Sequence, residues 1–217
     1  MATTRSSRSP TTEPSGLSRA RVCQEALALV DEEGLEALSM RRLGARLGVE
    51  AMSLYRHVHD KADLLDALHA AVLGALEPEG SRGEDWRSLL GGLARALRSA
   101  LHKHPHVLPL FTRQPVRAPE ALATVERVAA AMHHAGFRPS ESEQAIYVVG
   151  MFTIGHAIFD SNDRPSSAGG ARKHKSTTFR FGLEALLDGV ERGRRGRGRR
   201  LPPAPSPGAT PATRRRP

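Results

Sequence analysis

The chain is predicted to be all-α: an N-terminal three-helix head with a helix-turn-helix, joined by a fourth helix to a larger helical C-terminal domain. Three observations predict it. Alanine and leucine dominate while aromatic residues make up 4% of the 217 residues, a composition that favours helices. No alternating strand pattern stands out. Residues 38–61 read as two short helices about a tight corner, and apolar residues recur at helical spacing through most of the remaining chain.

Residues 1–16 are rich in Ser, Thr, Pro and Arg and are expected to form a disordered arm. The first helix should span 18–33, with Gly34 as its stop. Ser39 is a natural N-cap for the second, because its side-chain oxygen can accept from the orphan N–H groups of a first turn. Leu43 and Leu47 then share one face, and Gly48 supplies the left-handed residue that ends the helix. The third helix, 51–57, is too short to stand without its neighbours. Asp60 caps a fourth helix with an apolar stripe at Leu64, Leu65, Leu68, Val72 and Leu76. A polar, glycine-bearing break over 78–85 separates head from body.

In the body, Trp86, Leu89, Leu90, Leu93, Leu97 and Leu101 mark a helix over 85–102. Pro105, Pro109, Pro115 and Pro119 punctuate a segment that cannot be one helix. Helices should follow at 118–135, at 141–160 with Ser140 as cap, and at 177–190. The second of these is apolar nearly all round and should be buried on more than one side. The predicted domains are 17–76 and 84–190, and the Arg/Pro-rich tail 191–217 is expected to be disordered.

The net charge of +9 sits in that tail. Nine arginines and no acid lie from Arg192 onward; without them the 32 basic residues become 23, equal to the 23 acids. The high pI therefore says little about the folded part. Local placement says more. Arg41, Arg42, Arg46, Arg56 and Lys61 fall within 39–61, whereas Glu25, Asp31, Glu32, Glu33 and Glu36 gather on and after the first helix. One face can meet phosphates while another is turned away. The single cysteine, Cys23, excludes an internal disulfide framework and points to a reducing, cytoplasmic setting. The longest apolar run, 145–159, is shorter than a membrane span and contains His156, so no membrane partner is expected. Residues 1–16 hold no apolar stretch of signal-peptide length.

The segment from Leu17 to Leu76 resembles the TetR family of transcriptional regulators. The resemblance rests on Ala26, Leu29, Val30 and Gly34, on Ser39, Arg41, Leu43, Ala45, Leu47, Gly48 and Val49, and on Ser53-Leu54-Tyr55-Arg56-His57-Val58. It closes with Asp60-Lys61-Ala62-Asp63-Leu64-Leu65. The body is more loosely similar to the ligand-binding and dimerisation half of tetracycline-repressor-like proteins, through Trp86, the proline-broken segment, Gly136-Phe137 and residues 179–190. The resemblance implies a homodimer that binds a near-palindromic operator in double-stranded DNA, most simply as a repressor. It places Ser39, Arg41, Tyr55, Arg56, His57 and Lys61 near the duplex, and Ala51, Met52 and Ser53 where base edges are read. A Met52 thioether cannot make a bidentate base contact, although it can pack on a thymine methyl.

The same resemblance implies a pocket lined from Leu93, Leu97, Phe111, Gln114, Val125, Val128, Met132, Ile146 and Val149. These residues also suit an ordinary core. Their character favours an apolar or aromatic small-molecule effector over a tetracycline–magnesium chelate. No cofactor and no metal is expected. His102, His104 and His106 alternate around Lys103 and Pro105, which splays them away from a common ligand point and suits solvated or capping roles. His156 reads as a hydrogen-bonded interface residue. No nucleophile elbow, P-loop, dinucleotide fingerprint or H-E-x-x-H helix is present, so an enzyme is not expected. Two rivals remain open: a DNA-binding dimer without an effector, and a small helical carrier or enzyme.

Overall fold

The structure, a computed structural model, describes residues 16–76, 85–113, 119–162 and 169–196. Among these residues the regular secondary structure is all helical, with no strand. The head comprises α1 (Arg19–Glu33), a 3₁₀ turn (Leu35–Ala37), α2 (Met40–Leu47), α3 (Ala51–Leu54) and α4 (Lys61–Gly74). The body follows with α5 (Trp86–Lys103), a 3₁₀ turn (Pro105–Val107), α6 (Leu108–Arg113), α7 (Pro119–His134), α8 (Pro139–Asn162) and α9 (Gly169–Arg195).

Local chemistry sets the helix ends. Ser18, Ser39, Asp60 and Asp85 each accept from the backbone N–H three residues on, capping α1, α2, α4 and α5. Gly48 closes α2 in the left-handed region, at φ 69°. α3 is shorter than expected: it ends at Leu54, and turns carry the chain through His57. A lone helical turn gains too few hydrogen bonds to propagate. Fully buried Leu43, Leu54, Leu64 and Leu68 hold the head together around Val22, Ala26 and Val30.

Gly44 decides how closely α2 and α3 approach. A Cβ there would lie 2.8 Å from the Val49 carbonyl oxygen and 3.1 Å from the Ala51 nitrogen. Both are backbone atoms and cannot turn aside.

Two body helices depart from expectation. α8 begins at Pro139, not after Ser140, so Ser140 is not its cap. Pro139 suits a first helical position, and the Glu141 carboxylate reaches back to accept from the Arg138 N–H at 2.7 Å. α9 runs on both sides of the predicted 177–190 span, reaching Arg195, so residues 191–195 belong to a helix and not to the tail. The break at 78–84 and the rest of the tail lie outside the described residues.

The apolar interior divides into two clusters. The first runs from the head into α5 and α6 through Leu97, Leu101, Val107, Leu108 and Leu110. The second joins α5, α7, α8 and α9 through Trp86, Leu90, Val128, Met132, Phe137, Val149, Phe179 and Leu183. α5 lies along α8. α8 is buried on one side only: Tyr147, Val148, Met151 and Phe159 stay exposed, and Phe181 of α9 is exposed too. No helix among the described residues is long and apolar enough to cross a membrane.

Candidate nucleic-acid interface and ligand pocket

The cations of the head fall into two sets. Arg42 pairs with Glu33 of α1. Arg46 donates to Glu25 at 3.0 Å and, through both terminal nitrogens, to Glu32 at 2.6 and 2.7 Å. These two arginines fasten α2 onto α1. Arg41 and Arg56 are exposed, as is Lys61, and none of the three has an ion-pair partner among the described residues. On α3 and just after it, Met52 is 72% exposed and Tyr55 44% exposed. Ala51, Ser53 and His57 are half-buried, and Ser39 serves as the α2 cap. Local charge counting groups all five cations together; the structure ties two of them to α1 and leaves three exposed with no ion-pair partner among the described residues.

A clasp holds the far end of this unit. Arg19 donates to Asp63 at 2.6 and 2.9 Å and to the His57 carbonyl at 2.8 Å. Asp63 also accepts from the His59 N–H at 2.8 Å. Hydrogen bonds from Arg19 outweigh the effect of burial and draw the Asp63 carboxyl down to about 2. Sequence reasoning gave Asp63 only a place near the start of α4. A carboxylate in a first helical turn suits the helix dipole, and Asp63 also falls in the closing motif of the family resemblance.

The expected pocket residues divide between the two apolar clusters. Leu97 and Phe111 sit in the first cluster, beside the head. Val128, Met132 and Val149 are buried in the second, with Ile146 packed against it. Leu93 packs against both clusters, and Val125 is half-buried in neither. Gln114 lies outside the described residues. The periodicity could mark these residues as inward-facing but could not assign them to one cluster or the other.

The histidines separate by partner. His104 Nδ1 donates to Asp31 at 2.7 Å, and His106 Nδ1 to the Val30 and Asp31 carbonyls at 3.0 Å each. His106 thus meets carbonyls near the C-terminal end of α1, while His104 pairs with a side-chain carboxylate there. His102 and His156 both donate to Asp160, at 2.8 and 3.1 Å, alongside Arg98 at 3.0 Å. Burial alone would raise the Asp160 carboxyl, but these hydrogen bonds outweigh it and hold it below its ordinary value. Arg98 also stands over the Phe179 ring, 4.7 Å from its centre. Among the described residues no group of three His, Cys, Asp or Glu side chains is placed to hold a metal ion.

His69 was not singled out from the sequence. It is buried on α4, its Nε2 has no hydrogen-bond partner among the described residues, and its ring meets Phe111 at 4.4 Å.

Comparison with known proteins agrees with this architecture. Residues 23–68 match the family model described as bacterial regulatory proteins, tetR family, and residues 78–178 match the tetracyclin repressor-like C-terminal domain. The chain is 33% identical over 176 residues to the class C tetracycline repressor protein of Escherichia coli, covering 79% of this chain and 78% of that one. It is 35% identical over 138 residues to the HTH-type transcriptional repressor DrrR1 of Streptomyces coeruleorubidus, which covers 63% of this chain and 51% of that protein. The chain thus matches about half the length of that relative. A solved structure of a possible TetR family transcriptional regulator from Streptomyces coelicolor A3(2) superposes with a TM-score of 0.67 at 32% identity, over 81% of this chain and all of that one. The close approach at Gly44, the exposed face of α3 and these matches lead to one assignment: the chain belongs to the TetR family of bacterial regulatory proteins.

Proposed function

We propose that the protein is a homodimeric transcriptional repressor that binds a near-palindromic operator and is released by a mostly apolar, aromatic small molecule. One observation carries the DNA reading. Met52 and Tyr55 project from α3 while Arg41, Arg56 and Lys61 around them have no ion-pair partner among the described residues. Phosphate contacts from such cations would fix the register, and Ala51, Met52 and Ser53 would meet base edges. Two copies of α3 would enter successive major grooves about 34 Å apart.

The exposed apolar face of α8 and α9 supports the dimer. Tyr147, Val148, Met151, Phe159 and Phe181 form too large an apolar surface to leave in water. A second copy, covering the same face, would bury it. The repressor names of the relatives agree with the sign of regulation.

The effector reading rests on Leu97 and Phe111, which lie in the apolar cluster that joins α4 of the head to α5 and α6 of the body. A ligand there changes DNA affinity only if it prefers one head–body arrangement over the other.

Selection of bound sequences from random duplexes, using the full-length protein, tests the first part. Recovery of an inverted repeat is expected; failure to enrich any sequence overturns the DNA reading. Release of the selected duplex in a screen of aromatic compounds tests the second.

A further inference from the structure

Without the nine arginines from Arg192 onward the chain is formally neutral, so the net charge of +9 belongs to its C-terminal end. Arg192 is exposed, while Arg194 and Arg195 both donate to Glu191 at 2.6 Å and are occupied within α9. Six more arginines follow in two groups: Arg197, Arg199 and Arg200, then Arg214, Arg215 and Arg216, with no acidic residue among or between them. The folded surface offers these little to pair with. Arg46 holds Glu25 and Glu32, Arg42 holds Glu33, Arg19 holds Asp63, and Arg87 holds Glu184 and Asp188. The polyanion that suits the six arginines lies outside the chain.

The place where α9 ends is a second, independent observation. Arg194 donates to the Ala135 carbonyl at 3.2 Å and stands 5.6 Å from the centre of the Phe137 ring. Phe137 meets Trp86, the first residue of α5, with ring centres 4.9 Å apart. The other end of α5 is on the head side: Leu97 and Leu101 join the cluster that includes α1 and α4, and His104 binds Asp31 of α1 at 2.7 Å. α5 has 18 residues and so is about 27 Å long. The chain therefore leaves α9 at the end of the body opposite the head.

We propose that the arginines after α9 are a second, sequence-independent DNA-binding element, which takes hold of a duplex segment other than the one held by α3. The two-duplex arrangement rests on the operator reading under Proposed function; the affinity of these arginines for duplex does not. Guanidinium groups pair with phosphate oxygens through parallel N–H donors. Single strands are bound largely by stacking bases on aromatic side chains, and residues 197–217 contain no aromatic residue. They contain no Asn or Gln to read adenine edges either. Because the rest of the chain carries no net charge, its long-range attraction to DNA depends on this element. The head then supplies specificity and the arginines supply capture. The 21 residues after Gly196 are long enough to double back towards the head, at about 3.4 Å each, and the test separates that arrangement from the proposed one.

Full-length wild type is compared with a variant carrying Arg197→Gln, Arg199→Gln, Arg200→Gln, Arg214→Gln, Arg215→Gln and Arg216→Gln. All six lie beyond α9, so the two proteins should melt at the same temperature. In the first arm a labelled random-sequence duplex is titrated by anisotropy. Wild type should bind it at least about tenfold more tightly than the variant at low salt. The slope of log affinity against log salt should be steeper for wild type by up to about 5 units, about 0.9 for each arginine. In the second arm the selected operator duplex is fixed to beads, loaded with protein and washed, and the labelled random-sequence duplex is added. Loaded wild type should retain the labelled duplex and loaded variant should not, while both hold the operator with similar affinity.

Equal affinity of the two proteins for the random-sequence duplex overturns the proposal. Loaded wild type that retains no labelled duplex overturns the two-duplex arrangement; a variant that also binds the operator more weakly shows that the arginines double back onto the operator's flanks. A single-stranded RNA of the same length that binds wild type more tightly than the duplex does overturns DNA as the partner. Failure of wild type to load on any selected duplex, with arginine-dependent affinity for random duplex intact, overturns the operator reading and the two-duplex arrangement together.

Discussion

Arg19 and Asp63 are joined by two hydrogen bonds of 2.6 and 2.9 Å, and the same guanidinium also holds the His57 carbonyl at 2.8 Å. The first helix, the end of the recognition segment and the start of α4 are thereby fixed to one another. Arg19 is half exposed, which limits the pair's contribution to about 1 kcal/mol. Asp63 titrates near 2 in the folded protein against an ordinary 3.8. A depressed folded pKa means that the stabilisation is complete above the unfolded value and is lost as pH falls through the folded one. Asp63→Asn should therefore cost about 1 kcal/mol in urea unfolding at pH 7. The gap from wild type should shrink between pH 4 and pH 2.

Operator binding provides a second prediction. Tyr55→Ala and Lys61→Ala should each weaken binding while leaving the melting temperature within a few degrees of wild type. Loss of the Lys61 charge should also lower the slope of log affinity against log salt by about one unit. Arg46→Ala should behave differently. Arg46 is occupied by Glu25 and Glu32, so its loss should loosen α2 from α1 without removing a phosphate contact. A salt slope unchanged in Lys61→Ala, or lowered as much in Arg46→Ala, would contradict the division of the head's cations into two sets.

Gly44→Ala is the third. The added methyl meets backbone at 2.8 Å and nothing on that side can rotate away. Overpacking of this kind typically costs about 1–3 kcal/mol. Because α3 must shift to relieve it, operator affinity should fall more than stability does. Thermal melting alongside a binding isotherm separates the two effects.

The head was legible in the sequence because its signals are local. Ser39, Gly48 and Asp60 act on residues within one turn, and the structure has them capping α2 and α4 as their chemistry requires. Gly44 carried a signal that went unread: a glycine inside an eight-residue helix opposes helix propensity and marks a close approach. The body was harder. A helix that is apolar all round does not say which side faces its own chain. Val149 and Leu186 look as suitable for an intersubunit face as Val148 does, but Val149 is buried within the protomer and Leu186 packs on the same cluster. Nor could spacing reveal that Asp160 would gather Arg98, His102 and His156 from two helices. That cluster depends on how α5 crosses α8, which is set by packing over the whole body.

Assembly is the subject of the fourth prediction. Phe159 and Phe181 are 78% and 76% exposed in the protomer. Burying each in a dimer would contribute about 2 kcal/mol. Phe159→Arg and Phe181→Arg should shift the protein towards monomer in sedimentation while helical content is retained. Val149→Arg should instead unfold the body, since it places an unpaired charge in the second cluster. A monodisperse wild-type monomer would contradict the dimer, and so would folded dimers of both phenylalanine variants.

The effector response is the last prediction. Phe111 is not remote from the DNA-facing head: its ring rests on His69 of α4. A ligand that displaces this ring acts at once on the helix that positions α3. An aromatic effector should therefore release the selected duplex without a divalent cation, and tetracycline with magnesium should do so poorly. Phe111→Asp should abolish release, because a carboxylate at this apolar junction disfavours the ligand. The change also touches α4, so Phe111→Leu is the necessary companion. It keeps the junction apolar, and it should retain DNA binding within a few fold while weakening the response to an aromatic ligand. Titration of the compound against bound duplex, with and without chelator, gives the answer. Release that depends strictly on magnesium would place the effector elsewhere. So would a response that both Phe111 variants leave intact.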